Sequence, residues 1–357
     1  MQKYSKNIDW AKYEKEQQQQ KKELQEKIKS ICENFKQNPE SITDYYKFAS
    51  QFYNYSPKNQ CLIYEQNPYA TFTGSFNFYK EKGYFVKKGE HGLKIFVPVI
   101  TTLFCTGENN WKKLSEATKE EKELIKKNQI ETKKVQRFKI GNVFDIAQTN
   151  VPPEEYPLFF TMGYASEQHS AVFQKVKEYC QNELHCPIEM TDLKSISLRG
   201  RYFPNVHKIE LNDRLNDSEK LSTTLHEMGH AILHSDEKTT REKPLEQIEF
   251  EADSISIMLQ SKFGFEINEH RQAHIAEQYR TLSKQNQKFD FEKVLENISS
   301  VYTEHIDKLT AYINSDIKIK SKDLTESISP KMQKEDSIEK YCKSVQHTSS
   351  VPMEITR

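Results

Sequence analysis

Three prolines within six residues, Pro152, Pro153 and Pro157, divide the chain. Proline lacks the backbone N–H and the φ freedom that a helix or a central strand needs to continue. A boundary near 155 therefore splits the 357 residues into two parts, each within the roughly 100 to 200 residues of an ordinary domain. Charge is uneven across it. Residues 1 to 150 hold 26 Lys and Arg against 18 Asp and Glu, a net of +8, and the rest of the chain carries −8.

Several classes are excluded at once. The longest apolar stretch, Ile95 to Cys105, is broken by Pro98 and two threonines, well short of the roughly 20 apolar residues of a membrane span. The opening residues have no apolar segment of the secretory kind, which predicts a cytoplasmic protein with no membrane partner. Six scattered cysteines form no CxxC pair, so neither a disulfide framework nor a cysteine-rich zinc site is expected. There is no GxxxxGK or GxGxxG loop for a nucleotide.

Before the boundary, Leu24, Ile28, Ile31 and Phe35 form the narrow apolar stripe of one helix over 9–37, and a second, aromatic helix is predicted over 42–53. Residues 71–99 read as strand, turn and strand with Gly83, Gly89 and Gly92 at turns. The charged run 106–134 reads as a solvated helical insertion before a strand over 135–146. Lys80, Lys82, Lys87, Lys88 and Lys94 are interleaved with Phe76, Phe78, Tyr79, Tyr84, Phe85 and Phe96. Cations for phosphates and rings for stacked bases are what a single-strand groove requires.

Behind the boundary, a helix over 167–184 and short strands at 187–190 and 207–211 lead into helices at 217–234, 245–263, 268–284 and 289–313. Residues 156–318 form this second domain, and the polar tail 319–357 is expected to be disordered. The expected fold class is α+β: an α/β front domain and a mostly helical second domain with a small sheet.

Within the first of the four helices stands His226-Glu227-Met228-Gly229-His230. Leu221, Leu225, Met228 and Ile232 set its inward stripe, so His226 and His230 project one turn apart on another side. Two imidazoles at i and i+4 supply two nitrogen ligands for Zn²⁺, with Glu227 beside them as the base for a metal-activated water. On the next helix Glu249 and Asp253 lie one turn apart. One of them can complete the ligand set while the other accepts the free ring N–H of a ligand histidine. Glu249 gives the commoner His₂Glu set, and His234, one further turn along, is read as structural. Residues 201–211 could offer an edge strand to an extended peptide, or form a plain core hairpin.

The segments GRYFPNVHKIELN (Gly200 to Asn212), LSTTLHEMGHAILH and IEFEADSISIML resemble the ImmA/IrrE-type zincin family and the related peptidase domain of ArdC-like antirestriction proteins. YSPKNQCLI (Tyr55 to Ile63), GYFVKKGEHGLKIFVP (Gly83 to Pro98) and VFDIAQT (Val143 to Thr149) resemble the ArdC N-terminal domain. The likeness spans about residues 40–265 and implies a single-stranded-DNA-binding front domain (1–155) joined to a zinc metallopeptidase of mobile elements. It implies His226, His230 and Glu249 as zinc ligands and Glu227 as catalytic, which leaves Asp253 as the carboxylate that supports a ligand histidine. The DNA-binding set on this reading is Asn59, Lys80, Lys82, Tyr84, Lys87, Lys88 and Lys94, and the peptide substrate is unspecified. Ile255 and Ser256 replace the family's Phe-Ala just past the third ligand. Two other functions fit the same residues: a regulatory protease that cleaves a repressor, and a non-enzymatic DNA-shielding protein with structural zinc.

Overall fold

The computed structural model describes residues 10–107, 110–156, 168–194, 198–285 and 289–315. The expected tail from 319 onward and Pro157 lie outside them. The fold is α+β, with two small sheets and a helical core.

Helix α1 (Trp10–Gln37) buries Leu24, Ile28, Ile31 and Phe35. Helix α2 (Ser41–Ala49) follows after a tight turn, and α3 (Pro57–Gln66) opens on a proline at its first position, where the missing N–H costs nothing. The front sheet is built from β1 (Thr73–Ser75), β2 (Leu93–Cys105), β3 (Trp111–Lys113) and β4 (Thr132–Asp145), in the order β1-β4-β2-β3 and antiparallel throughout.

Two local expectations are corrected here. Residues 71–99 are not strand, turn and strand, because α4 (Phe76–Glu81) intervenes: Ser75 Oγ accepts the Phe78 N–H as its cap, and Tyr79 turns into the core. The alternating aromatics mimic a strand, but the cap and the buried Tyr79 belong to a helix. Residues 106–134 are not a wholly helical insertion. β3 pairs with β2, β4 begins at Thr132, and among the described residues of the run only α5 (Lys119–Lys126), with its Thr118–Glu121 capping box, is α-helical. Long-range strand pairing overrides local charge pattern at both ends of the run.

After the prolines come α6 (His169–Asn182), β5 (Ile188–Thr191), β6 (Gly200–Phe203) and β7 (Lys208–Asn212). They form a second sheet of order β5-β7-β6, with β5 parallel and β6 antiparallel to β7. Helices α7 (Asp217–Leu233), α8 (Glu237–Arg241), α9 (Leu245–Lys262), α10 (Glu269–Gln285) and α11 (Phe291–Asn314) complete the chain as described.

The prolines separate the two sheets but not the largest hydrophobic core, and two smaller clusters of buried residues lie before them. One hydrophobic core runs from Leu24 to Ile313 and joins α1, α2 and α3 to α6, α7, α9, α10 and α11. Phe35 meets Phe291 edge-on at 5.7 Å, and Tyr46 packs on Phe250 at 6.3 Å. Helix α9 is buried almost all round from Phe250 to Gln260, because neighbours cover it on every side. Such a helix can hold polar side chains only if they are paired.

Candidate functional site

Helix α7 starts with a reciprocal cap: Asn216 Oδ1 accepts the Glu219 N–H, and the Glu219 carboxylate accepts the Asn216 N–H. Leu221, Leu225 and Met228 are buried, which fixes the rotation of the helix and aims His226 and His230 at α9. Gly229 sits between them for a steric reason. A Cβ there would lie 2.9 Å from the Ala252 carbonyl oxygen and 3.1 Å from its Cα. Glycine thus lets α7 and α9 approach backbone to backbone, which brings Glu249 within reach of both imidazoles.

The three donor atoms form a compact triangle. His226 Nε2 lies 3.2 Å from His230 Nε2 and 3.5 Å from Glu249 Oε2, and the remaining side is 3.7 Å. An ion bound tetrahedrally at 2.0–2.1 Å from each donor sets the donors about 3.3 Å apart, so the set fits a divalent metal. Among the described residues no other three His, Cys, Asp or Glu side chains bring their ligand atoms this close.

Each histidine is held from behind. His226 Nδ1–H donates to Asp253 Oδ1 at 2.8 Å, which leaves Nε2 free for a metal. Asp253 is itself buried and also receives Arg271 and, at 2.8 Å, His274 Nδ1, both from α10. His230 Nδ1 lies 3.2 Å from His234 Nδ1, and His234 Nε2 is 2.9 Å from Glu251 Oε2. The tautomers consistent with Nε2 ligation make His230 the donor to His234, and His234 the donor to Glu251. Glu251, fully buried, is further satisfied by Lys243 at 2.6 Å and Gln247 at 2.7 Å. The sequence reads His234 as structural, and it does not single out Glu251, Lys243, Arg271 or His274. No spacing in the sequence marks the last three residues, because each reaches its partner from another element or turn.

The electrostatics follow from this packing. Burial works against a charge on His226, but the Asp253 and Glu249 carboxylates outweigh it and lift its pKa to about 9. Burial likewise opposes ionisation of Glu249 and Asp253, and their histidine partners nevertheless hold both well below the usual carboxylate range. Burial pushes Glu227 up, against the pull of the two imidazoles. Burial pushes His234 down, toward the neutral form that its two hydrogen bonds require.

Strand β6 passes directly over Glu227. A Cβ on Gly200 would meet Thr223 Cγ2 at 2.7 Å and Glu227 Cγ at 3.2 Å. With the order β5-β7-β6, the outer edge of β6 has no strand partner among the described residues.

The front-domain candidates differ in exposure and in the partners they already hold. Lys80, Lys87, Lys88 and Lys94 are exposed around α4 and the loop leading into β2, and Lys82 is half-buried. Lys87 Nζ donates to the Ala147 carbonyl at 2.9 Å. Tyr84 is committed to Glu155, whose hydrogen bond pushes the phenol up to about 12. Asn59 is buried, and its amide clamps β2: Nδ2 donates to the Phe96 carbonyl and Oδ1 accepts the Phe96 N–H, both at 2.9 Å. Of the interleaved rings only Phe76 and Phe85 are exposed, and Tyr69, not anticipated, joins them.

Residues 12–144 match the family model for the N-terminal domain of anti-restriction factor ArdC. Residues 181–287 match that of the IrrE N-terminal-like domain, a peptidase family, and contain all three donors and Glu227. The chain is ArdC-like. An uncharacterised protein of Bacillus anthracis is 27% identical over 293 residues, 77% of this chain and 49% of the relative. The chain thus spans about half the length of that curated relative. Among solved structures, the metal-free antirestriction ArdC protein of plasmid R388 is 17% identical with a TM-score of 0.45. Its Mn(II)-bound form is 16% identical with a TM-score of 0.40, and both alignments cover 73% of this chain and 86% of the other. No helix among the described residues of this ArdC-like chain is long and apolar enough to cross a membrane.

Proposed function

We propose that the chain is an antirestriction-type protein of mobile elements, with a front domain that binds single-stranded DNA and a second half that is a zinc-dependent peptidase. The observation that carries the peptidase reading is the triangle of His226, His230 and Glu249 with buried Glu227 beside it. Two imidazoles and one carboxylate suit zinc, and a three-residue set leaves room for a reacting group. When bound, the ion supplies Lewis acidity, polarising a carbonyl and acidifying a water. Glu227, with its carboxyl pKa raised by burial, is suited to take a proton from a water that attacks the peptide carbonyl and to return it to the amine that departs as the C–N bond breaks. Asp253 and His234 hold the two imidazoles in the tautomer that leaves Nε2 unprotonated. The open edge of β6 above Glu227 can align an extended peptide by main-chain hydrogen bonds. Exposed Phe76 and Phe85 among Lys80, Lys87 and Lys88 support the single-strand reading.

The test pairs metal analysis with digestion of a denatured-proteome peptide library followed by mass spectrometry. Wild type should hold one zinc per chain and cleave. Glu227→Gln should keep the zinc and lose cleavage, and Glu249→Ala should lose both. Full zinc with no cleavage by wild type would overturn the peptidase reading. Anisotropy of a labelled 20-nucleotide single strand should fall with added salt, and no binding at low salt would overturn the DNA reading.

A further inference from the structure

Strands β2 and β4 pair without interruption from Leu93↔Val143 to Phe104↔Thr132, a ribbon of roughly 37 Å at about 3.4 Å per residue. Its charge is of one sign. β2 carries Lys94 and no acid, and β4 carries Lys133, Lys134, Arg137 and Lys139 with Asp145 as its single acid. Asp145 is buried at the other end, where it caps the Ala147 N–H. Lys134, Arg137 and Lys139 are exposed, and none of them has an ion-pair partner among the described residues. Because side chains alternate, Lys133, Arg137 and Lys139 share one face and Lys94 and Lys134 the other.

Rings are scarce on this ribbon. Trp111 has its face covered by Lys133 Nζ at 4.0 Å, and Phe138 is the one exposed ring on β2 and β4. The exposed rings Phe76 and Phe85 lie outside it, on α4 and the loop before β2. Single strands are gripped by stacking on rings, whereas a duplex presents stacked, inaccessible bases and a dense double row of phosphates. A two-stranded ribbon is also an element that the major groove admits.

We propose that the β2–β4 ribbon is an arm for duplex DNA, separate from the ring-bearing surface that takes a single strand. The partner is fixed by charge complementarity: unpaired cations on both faces, no exposed acid on either strand, and few rings to stack. A single front domain then engages duplex and single strand through different residues.

The test titrates the full-length protein against a labelled 20-base-pair blunt duplex and, separately, a 20-nucleotide single strand, across a salt series. The variant carries Lys134→Glu, Arg137→Glu and Lys139→Glu. It should weaken duplex binding at least about tenfold and flatten the log–log salt dependence by about 3, one phosphate contact per cation. Single-strand affinity should stay within about twofold. Should the triple variant fail to fold, as read by circular dichroism and zinc content, Arg137→Gln with Lys139→Gln should still weaken the duplex selectively. Absence of duplex binding by wild type, or equal losses for duplex and single strand, would overturn the proposal. Loss of single-strand binding by wild type would instead overturn the reading of the front domain given above.

Discussion

Charge is handled in opposite ways in the two halves. Around α7 and α9, His226, His230, His234, Glu251 and Asp253 sit inside the protein, and each is matched to partners at hydrogen-bond distance. On the front sheet, Lys134, Arg137 and Lys139 stand in solvent without ion-pair partners among the described residues. Burying a charge is costly unless it is paired, so the first arrangement holds its donors in fixed places that fit a small cation. An exposed cation costs little, so the second gains only when a partner brings its own negative charge. Rigid pre-arrangement and open electrostatics predict different responses to mutation.

The largest effect is expected at Glu249. Glu249→Ala removes one of three donors, and zinc affinity measured by chelator competition should fall by more than the 10–100-fold typical of losing a supporting contact. Retained stoichiometric zinc would break the comparison on the buried side. Asp253→Asn and His234→Ala should each weaken zinc within about that 10–100-fold range without abolishing it. Asp253→Asn also leaves Arg271 without its anionic partner, so it should be the more destabilising of the two in thermal unfolding.

Acidity sharpens the same contrast. A ligand imidazole must be neutral, and in the metal-free protein His226 stays protonated up to about pH 9. Metal binding at pH 7 therefore has to expel that proton. Zinc affinity should rise by up to about tenfold per pH unit toward pH 9 and level off above it. The metal-free protein responds in the other direction: the stability drawn from charged His226 is fully present below about pH 6.5 and disappears as pH climbs through about 9. Flat zinc affinity over that range would contradict the pairing of His226 with Asp253 and Glu249.

Gly229→Ala forces a methyl against the Ala252 carbonyl. It should cost about 1–3 kcal/mol in chemical denaturation and loosen zinc by separating α7 from α9. The smallest effect is on the surface. Lys87→Ala with Lys88→Ala should reduce single-strand affinity severalfold and flatten its salt dependence by about 1 to 2, while zinc content stays unchanged.

The candidate metal site is more legible in the sequence than the front domain, for a geometric reason. A helix converts i, i+4 spacing into a shared direction, so His226 with His230 and Glu249 with Asp253 could be read along single helices. What could not be read were contacts between elements: Arg271 and His274 reaching Asp253 from α10, and Lys243 reaching Glu251. An amphipathic stripe such as Leu24 to Phe35 announces a buried face but not what covers it. The sequence therefore gave no sign that α1 to α3 share a core with α11. In the front domain, the alternating rings of α4 imitated a strand, and β3 is too short, at three residues, to carry a periodic signal. Asn59 was placed among the DNA-binding residues by its position in a matching segment, whereas its amide is spent on the backbone of β2.

The central claim, a metal centre built from α7 and α9, is tested most directly by zinc K-edge absorption on the purified full-length chain. The account predicts one zinc per chain with only nitrogen and oxygen neighbours at about 2.0–2.1 Å, two of them imidazoles. Absence of stoichiometric zinc, a sulfur neighbour, or a third imidazole in the shell, which would bring in His234, would contradict it.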